Sequence, residues 1–236
     1  MIHHFSRKQV LLGTAILVIL ILGGVMLWQK EGKRFTDPYY GLTTHIDVQM
    51  EDATRTLVQQ RLATAQASLA AQQGSEPDVD TQLYLVIAEH HKMLGDLVAS
   101  REMYEKYLAL MPNSYVAWNA YADVLELMKD LPKAEAALKM SLSLLKTEEY
   151  YRDYVEFLQR YYPERRAEVK VLLDEAYGNL KQTPWIMIAL GNWFFETGDC
   201  DQGKAHYDVV IALSPGDTVA LKRDQKEKLA VCEQPR

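Results

Sequence analysis

Six histidines and two cysteines are the side chains best suited to ligate a metal or act as nucleophiles, and 32 carboxylates could supply acid or base chemistry. Chelation needs ligands at short, characteristic spacings, such as paired cysteines or two histidines one helical turn apart. His3 and His4 lie at the start of the chain and His45 precedes the first helical pattern. His90, His91 and His206 fall in helical stretches with no second ligand at a useful spacing. Each reads as a packed or partly exposed imidazole. No carboxylate pair is placed with a nucleophile or a glycine-rich phosphate loop, so neither catalysis nor a cofactor or metal is expected. That leaves Cys200 and Cys232, whose meaning depends on the elements that carry them.

The composition, 48% hydrophobic and 25% charged, is that of a folded chain. Residues 10–28, VLLGTAILVILILGGVMLW, carry no charge. As a helix they match the ~30 Å hydrocarbon core of a bilayer. No small-residue cleavage site and no lipidation-like cysteine follows them, so an uncleaved transmembrane anchor is expected. Arg7 and Lys8 precede this segment and Lys30, Lys33 and Arg34 follow it, nearly balancing the positive-inside rule. Two bases without an acid in residues 1–9 tip the balance towards a cytoplasmic N-terminus, with the body outside an inner membrane. Residues 1–28 carry net +2, leaving −8 for the remainder of a chain whose total is −6. An acidic body disfavours nucleic acid as a partner.

Behind the anchor, Asp96, Asp130 and Asp199 recur at intervals of 34 and then 69 residues, twice preceded by glycine. A fixed period of this length marks a helical solenoid. Aligning windows 81–114, 115–148 and 184–217 brings Tyr84, Trp118 and Met187 into one column. Ile87, Tyr121 and Leu190 form the next, and Ala88, Ala122 and Gly191 a small one. Further on, Ser100, Ala134 and Gly203 align, then Tyr104, Leu138 and Tyr207. In each window an apolar i, i+3, i+4, i+7 pattern runs for about 14 residues, breaks before the aspartate and resumes. The three aspartates are placed to cap the second helix. Pro132 suits that helix's first turn, and Pro112 and Pro215 follow helix ends.

These columns resemble the tetratricopeptide repeat (TPR), a pair of antiparallel helices. The resemblance implies an all-α, TPR-like helical-hairpin solenoid preceded by one transmembrane helix. Tyr107, Lys129 and Lys146 depart from the pattern. The expected organisation is an N-terminal tail (1–9), the anchor (10–28), a tether (29–50) and an amphipathic helix with its loop (51–80). Four repeats follow (81–114, 115–148, a divergent 149–183, and 184–217), then a capping helix and tail (218–236).

In TPR arrays the concave groove is lined by the first helix of each pair. That implies a partner-binding lining of Leu85, Glu89, Met93, Asn119, Asp123, Tyr150, Tyr154, Phe157, Tyr161, Trp185, Ile188, Asn192 and Phe195. Its aromatic half either anchors a partner's peptide or helix or fills the core of the divergent repeat; both readings stay open. Glu89 and Asp123 argue against a clamp for a peptide carboxylate. The expected function is a membrane-anchored, non-catalytic scaffold or adaptor that captures a protein partner. Alternatives are a self-associating envelope protein or, from the layout of anchor, lone helix and repeats, a resemblance to c-type cytochrome biogenesis TPR proteins, which implies an apocytochrome partner.

Cys200 stands at the turn of the last repeat and Cys232 nearly one period later. Neighbouring turns of a solenoid lie close to the reach of a disulfide, and the chain end can bend. The two are either a staple on the capping helix, nominally worth ~3–4 kcal/mol, or unrelated thiols. A staple implies an oxidising, extracytoplasmic (periplasmic) compartment.

Overall fold

The computed structural model describes residues 37–72, 80–181, 183–214, 216 and 218–234. The anchor at 10–28, the tail at 1–9 and most of the loop at 73–80 lie outside the described residues. Among the described residues no helix is long and apolar enough to cross a membrane. The chain divides into two units, residues 1–44 and residues 45–236. In the first, residues 37–42 form a tight turn, where the Asp37 carbonyl accepts from Tyr40 N–H at 3.1 Å and its carboxylate from Tyr39 N–H at 2.9 Å.

The second unit is all helix among its described residues, apart from one isolated bridge. Helix α1 (Asp52–Gln72) buries Val58, Leu62, Ala65 and Leu69, a single stripe at helical spacing, and leaves Leu57 46% exposed. Its lower stripe meets Ile87, Leu83 and Tyr84 of α2. Four hairpins follow: α2 (Gln82–Met93) with α3 (Leu97–Leu110), α4 (Tyr115–Met128) with α5 (Leu131–Leu144), α6 (Glu148–Tyr161) with α7 (Arg166–Leu180), and α8 (Pro184–Thr197) with α9 (Cys200–Leu213). Helix α10 (Val219–Cys232) closes the series.

Three of the hairpin turns share one closure. The residue before each aspartate is left-handed, Gly95 at φ +84°, Lys129 at +67° and Gly198 at +92°. The N–H groups of Asp96, Asp130 and Asp199 then reach back to the carbonyls of His91, Leu125 and Phe194 at 2.9 Å each, satisfying groups that the helix end leaves free. Lys129 therefore adopts the glycine conformation despite its side chain. Asp96 and Asp199 cap the next helix through Ala99 N–H and Gln202 N–H. Asp130 makes no such cap, contrary to the expectation from its spacing. Its carboxylate takes the Arg101 guanidinium from the preceding repeat at 3.3 Å instead.

The small columns sit where paired helices cross. Ala88, Ser100 and Ala134 are fully buried and Ala122 nearly so. A Cβ on Gly191 would lie 2.7 Å from the Tyr207 ring, and one on Gly203 would lie 2.6 Å from the Phe195 ring. Only glycine lets α8 and α9 approach so closely.

Part of the expected tether is docked. His45 bridges Asp96 in antiparallel fashion, Ile46 N–H donates to Gly95 O at 3.0 Å, and Arg55 donates to Val48 O at 2.7 Å. The approach is so close that a Cβ on Gly95 would fall 2.0 Å from the Ile46 carbonyl oxygen.

Candidate functional site

Buried tyrosines and carboxylates tie the hairpins to each other. Tyr121 of α4 donates to Glu105 of α3 at 2.7 Å, and Tyr154 of α6 donates to Glu135 of α5 at 3.0 Å. Tyr207 of α9 donates to Asp224 of α10, and within the first hairpin Tyr104 donates to Glu89. The Arg165 fork on Glu135, at 2.8 and 2.9 Å, pulls that carboxyl down to about 2 against the opposing effect of burial, and Lys139 and Tyr154 add to the pull. Burial and the bond to Glu105 push the Tyr121 hydroxyl well above its ordinary range. These clasps join neighbouring helices and occupy carboxylates that sequence alone leaves unassigned.

Tyr150, Tyr154, Phe157 and Phe195 are 5%, 4%, 1% and 4% exposed. They are core, the second of the two readings that the sequence leaves open for these aromatics. Tyr154 faces α5, Phe157 packs on Tyr161 and Tyr162, and Phe195 lies on the Tyr207 ring. Tyr161 is half-buried and donates to Glu126 at 3.1 Å. Leu85 and Glu89 are half-buried, and Glu89 is held by Tyr104 and Lys92. Half-buried Asn119 donates to Asp153 at 2.8 Å, and its own carbonyl oxygen is buried without a partner. Met93 is 42% exposed. Asp123 stands on the open surface with its side chain 62% exposed. Trp185, Ile188 and Asn192 are half-buried.

The accessible lining divides into two recesses along the first helices of the pairs. One, of about 490 Å³, is bordered by Met93 and Leu127, by the carboxylates of Asp123, Glu126, Asp153 and Glu156, and by the cations Lys92 and Arg160. Arg160 is engaged with Glu126 and Lys92 with Glu89. The other, of about 540 Å³, brings Trp185, Ile188 and Asn192 together with Trp193, Tyr162 and Arg166. Lys92, Glu126, Leu127, Asp153, Glu156 and Arg160 are absent from the lining expected from the sequence. Helical spacing from Met93 and Asp123 points to some of them.

Crowding by protein pushes the Asp123 carboxyl up to about 6. Lys92, 3.9 Å away, opposes the rise, whereas Asp153, Glu126 and Glu89 reinforce it. Water still covers most of this side chain, so the energy involved is modest. A carboxyl raised from 3.8 to about 6 on folding binds its proton more tightly in the native state. Its stabilising contribution is complete below about 3.8 and is lost as pH rises through about 6. Asp123→Asn is therefore expected to stabilise the protein at pH 7.5, by on the order of 0.5 kcal/mol. The gain should vanish below pH 4, as read from urea melts at both pH values; a variant less stable than wild type at pH 7.5 contradicts this.

His91 contacts Gln66 at 3.3 Å and Asp96 at 3.5 Å, joining α1 to the first turn. Among the described residues no group of three or more His, Cys, Asp or Glu side chains could hold a metal. Cys200 and Cys232 are joined in a disulfide with their Cα atoms 5.8 Å apart.

No protein-family model and no curated protein matches the sequence. Solved structures do resemble the fold. MamA superposes with a TM-score of 0.52 at 10% identity, over 76% of this chain and 99% of that one. Pseudomonas aeruginosa PilF gives 0.51 at 13% identity, over 77% and 87%. YrrB, described as a TPR protein with an unusual peptide-binding site, gives 0.50 at 16% identity, over 71% and 89%. Together with the hairpin geometry, these matches make the chain a solenoid of the tetratricopeptide fold.

Proposed function

We propose that the chain is a non-catalytic adaptor, held to a membrane by residues 10–28, whose concave face binds a basic segment of a partner protein. The observation that carries this reading is the recess between α2, α4 and α6, where four carboxylates face two cations beside the exposed aliphatic surfaces of Met93 and Leu127. A lysine or arginine has the matching form, an apolar stem ending in a cation, and would offset the repulsion from Asp153 and Glu126 that adds to the effect of burial on Asp123. The neighbouring recess at Trp185, Ile188 and Trp193 suits apolar residues of the same segment. Of the aromatic residues in the expected lining, Trp185 keeps a place in this capture, beside cationic contacts at the first recess, while Tyr154, Phe157 and Phe195 lie in the core. The Cys200–Cys232 bond supports an oxidising compartment, and with it the extracytoplasmic side of a bacterial-type inner membrane.

The test is site-specific photo-crosslinking in cells, with the probe at Leu127 in the recess or at Val171 on α7, outside it. Discrete adducts are expected from Leu127 alone. The double charge reversal Asp123→Lys/Asp153→Lys should reduce them about tenfold, equivalent to ~1.4 kcal/mol. Adducts from Leu127 that persist undiminished in the reversed variant would sink the basic-segment reading.

A further inference from the structure

Helix α10 differs from the others in how it is held. Only its last residue, Cys232, is buried, while Val219 and Val231 are each 68% exposed. Its apolar hold on the body is a small cluster of Phe195, Tyr207 and Cys232, with Ile188, Cys200 and Leu229 packed partly against it. Polar ties run from Asp224 to the Tyr207 hydroxyl and from Gln225 to Asp208 and the Lys204 carbonyl. Between α10 and α8 a recess of about 600 Å³ remains, with Phe195, Asn192 and Glu196 on one wall and Asp224, Glu227, Lys228 and Val231 on the other. Such an underfilled contact, resting on few apolar groups, belongs to the low-stability end of a fold and opens locally before the rest. The disulfide fastens the far end of this helix to Cys200, the first residue of α9.

We propose that the Cys200–Cys232 bond is a redox latch on α10, and that its reduction releases this helix from the last repeat while the four hairpins stay folded. Cys200 is partly exposed and Cys232 buried, so a dithiol donor reaches Cys200 first. A donor thiolate attacks Cys200 Sγ, and the S–S bond breaks with its electron pair leaving on Cys232 Sγ, which then takes a proton. The donor's second thiolate attacks the donor sulfur of the mixed disulfide, and Cys200 Sγ leaves with the electron pair as a thiolate that takes the second proton. Two electrons and two protons thus pass to the protein, and the donor becomes a disulfide. Release uncovers Phe195 and Tyr207 and removes the outer wall of the 600 Å³ recess. That recess shares Arg166, Asn192 and Glu196 with the aromatic recess of the concave face, so the redox state sets the shape of the groove's C-terminal end.

Hydrogen exchange on the full chain in detergent tests the latch, comparing oxidised protein, protein reduced with a small dithiol, and the Cys200→Ser/Cys232→Ser variant. Amides of 219–232 are expected to exchange at least about tenfold faster on reduction, with 184–213 unchanged. The double variant should behave as reduced wild type does. Unchanged protection of 219–232 in reduced wild type overturns the proposal, because the helix then holds without its latch. Joint loss of protection across 184–232 overturns it equally, because the bond is then a staple of the whole repeat.

Discussion

Phe157→Ala is expected to destabilise the protein by about 3–5 kcal/mol, even though Phe157 lies on the first helix of its hairpin, the side on which a TPR array meets its partners. The side chain is 1% exposed, its ring centroid 5.2 Å from that of Tyr161 and 5.8 Å from that of Tyr162. Truncation leaves a cavity between α6 and its neighbours, and the clasped tyrosines around it leave little freedom to collapse into the space. Against a total stability of about 5–15 kcal/mol, such a loss is a large fraction of the whole and raises the unfolded population for reasons unrelated to recognition. Met93→Ala, at a side chain 42% exposed in the recess, is expected to change stability by less than about 1 kcal/mol. Urea denaturation followed by far-ultraviolet circular dichroism separates the two. A Phe157→Ala protein whose melt matches that of wild type would return Phe157 to the surface.

The placing of Phe157 in the expected lining has a specific origin. The buried faces of α2 and α4 align at a step of 34, Ile87 and Ala88 on Tyr121 and Ala122, whereas those of α4 and α6 align at 33, one residue short of the window that starts at 149. One residue on an α-helix is a rotation of about 100°, enough to turn a groove position into a core position. With a step of 33, the buried set Ala117, Tyr121, Ala122, Val124 and Leu125 falls on Tyr150, Tyr154, Val155, Phe157 and Leu158, which are buried as well. The exposed Asp123 then corresponds to Glu156, which shares its recess. In the first hairpin, where the window agrees with the 34-residue period, Met93 falls on the exposed stripe as expected and Glu89 beside it. In the last, Phe195 is on the expected helix but is covered by α10, whose course no periodicity in the repeats encodes.

Local chemistry is more legible than contacts between hairpins. The positions of glycine and aspartate at the turns disclose both the left-handed residue and the cap, because both are decided within a few residues. Asp130 shows where such reasoning stops. Its place in the period matches that of Asp96 and Asp199, yet a guanidinium 29 residues upstream competes for its carboxylate and wins. The four tyrosine–carboxylate clasps are of the same kind: each joins residues 15 to 19 apart, and neither partner is unusual in its own helix.

Arg101→Met is expected to cost about 3–5 kcal/mol, the other large effect among these substitutions. Arg101 is 5% exposed, and its guanidinium holds Glu105 at 2.8 Å and Asp130 at 3.3 Å. Glu105 in turn accepts from Tyr121. This one cation therefore links α3 to the α4–α5 turn and neutralises two carboxylates from successive repeats. Burial opposes the charge on Glu105, but the bonds from Tyr121 and Arg101 outweigh it and hold the carboxyl below its ordinary value. A depressed carboxyl contributes stability that is present above about 4.5 and is lost as pH falls. The deficit of Arg101→Met should therefore be full at pH 7 and should narrow below pH 4.5, where protonation of Glu105 weakens the wild-type contact as well. Adding Glu105→Gln to the variant removes one of the stranded charges and should recover part of the loss, since the cost lies mainly in a carboxylate left without its partner. Urea melts of wild type, single and double variants at pH 7 and pH 4 decide the matter. A double variant less stable than the single by the full cost of Glu105→Gln alone would show that Arg101 acts through packing of its stem and not through its charge.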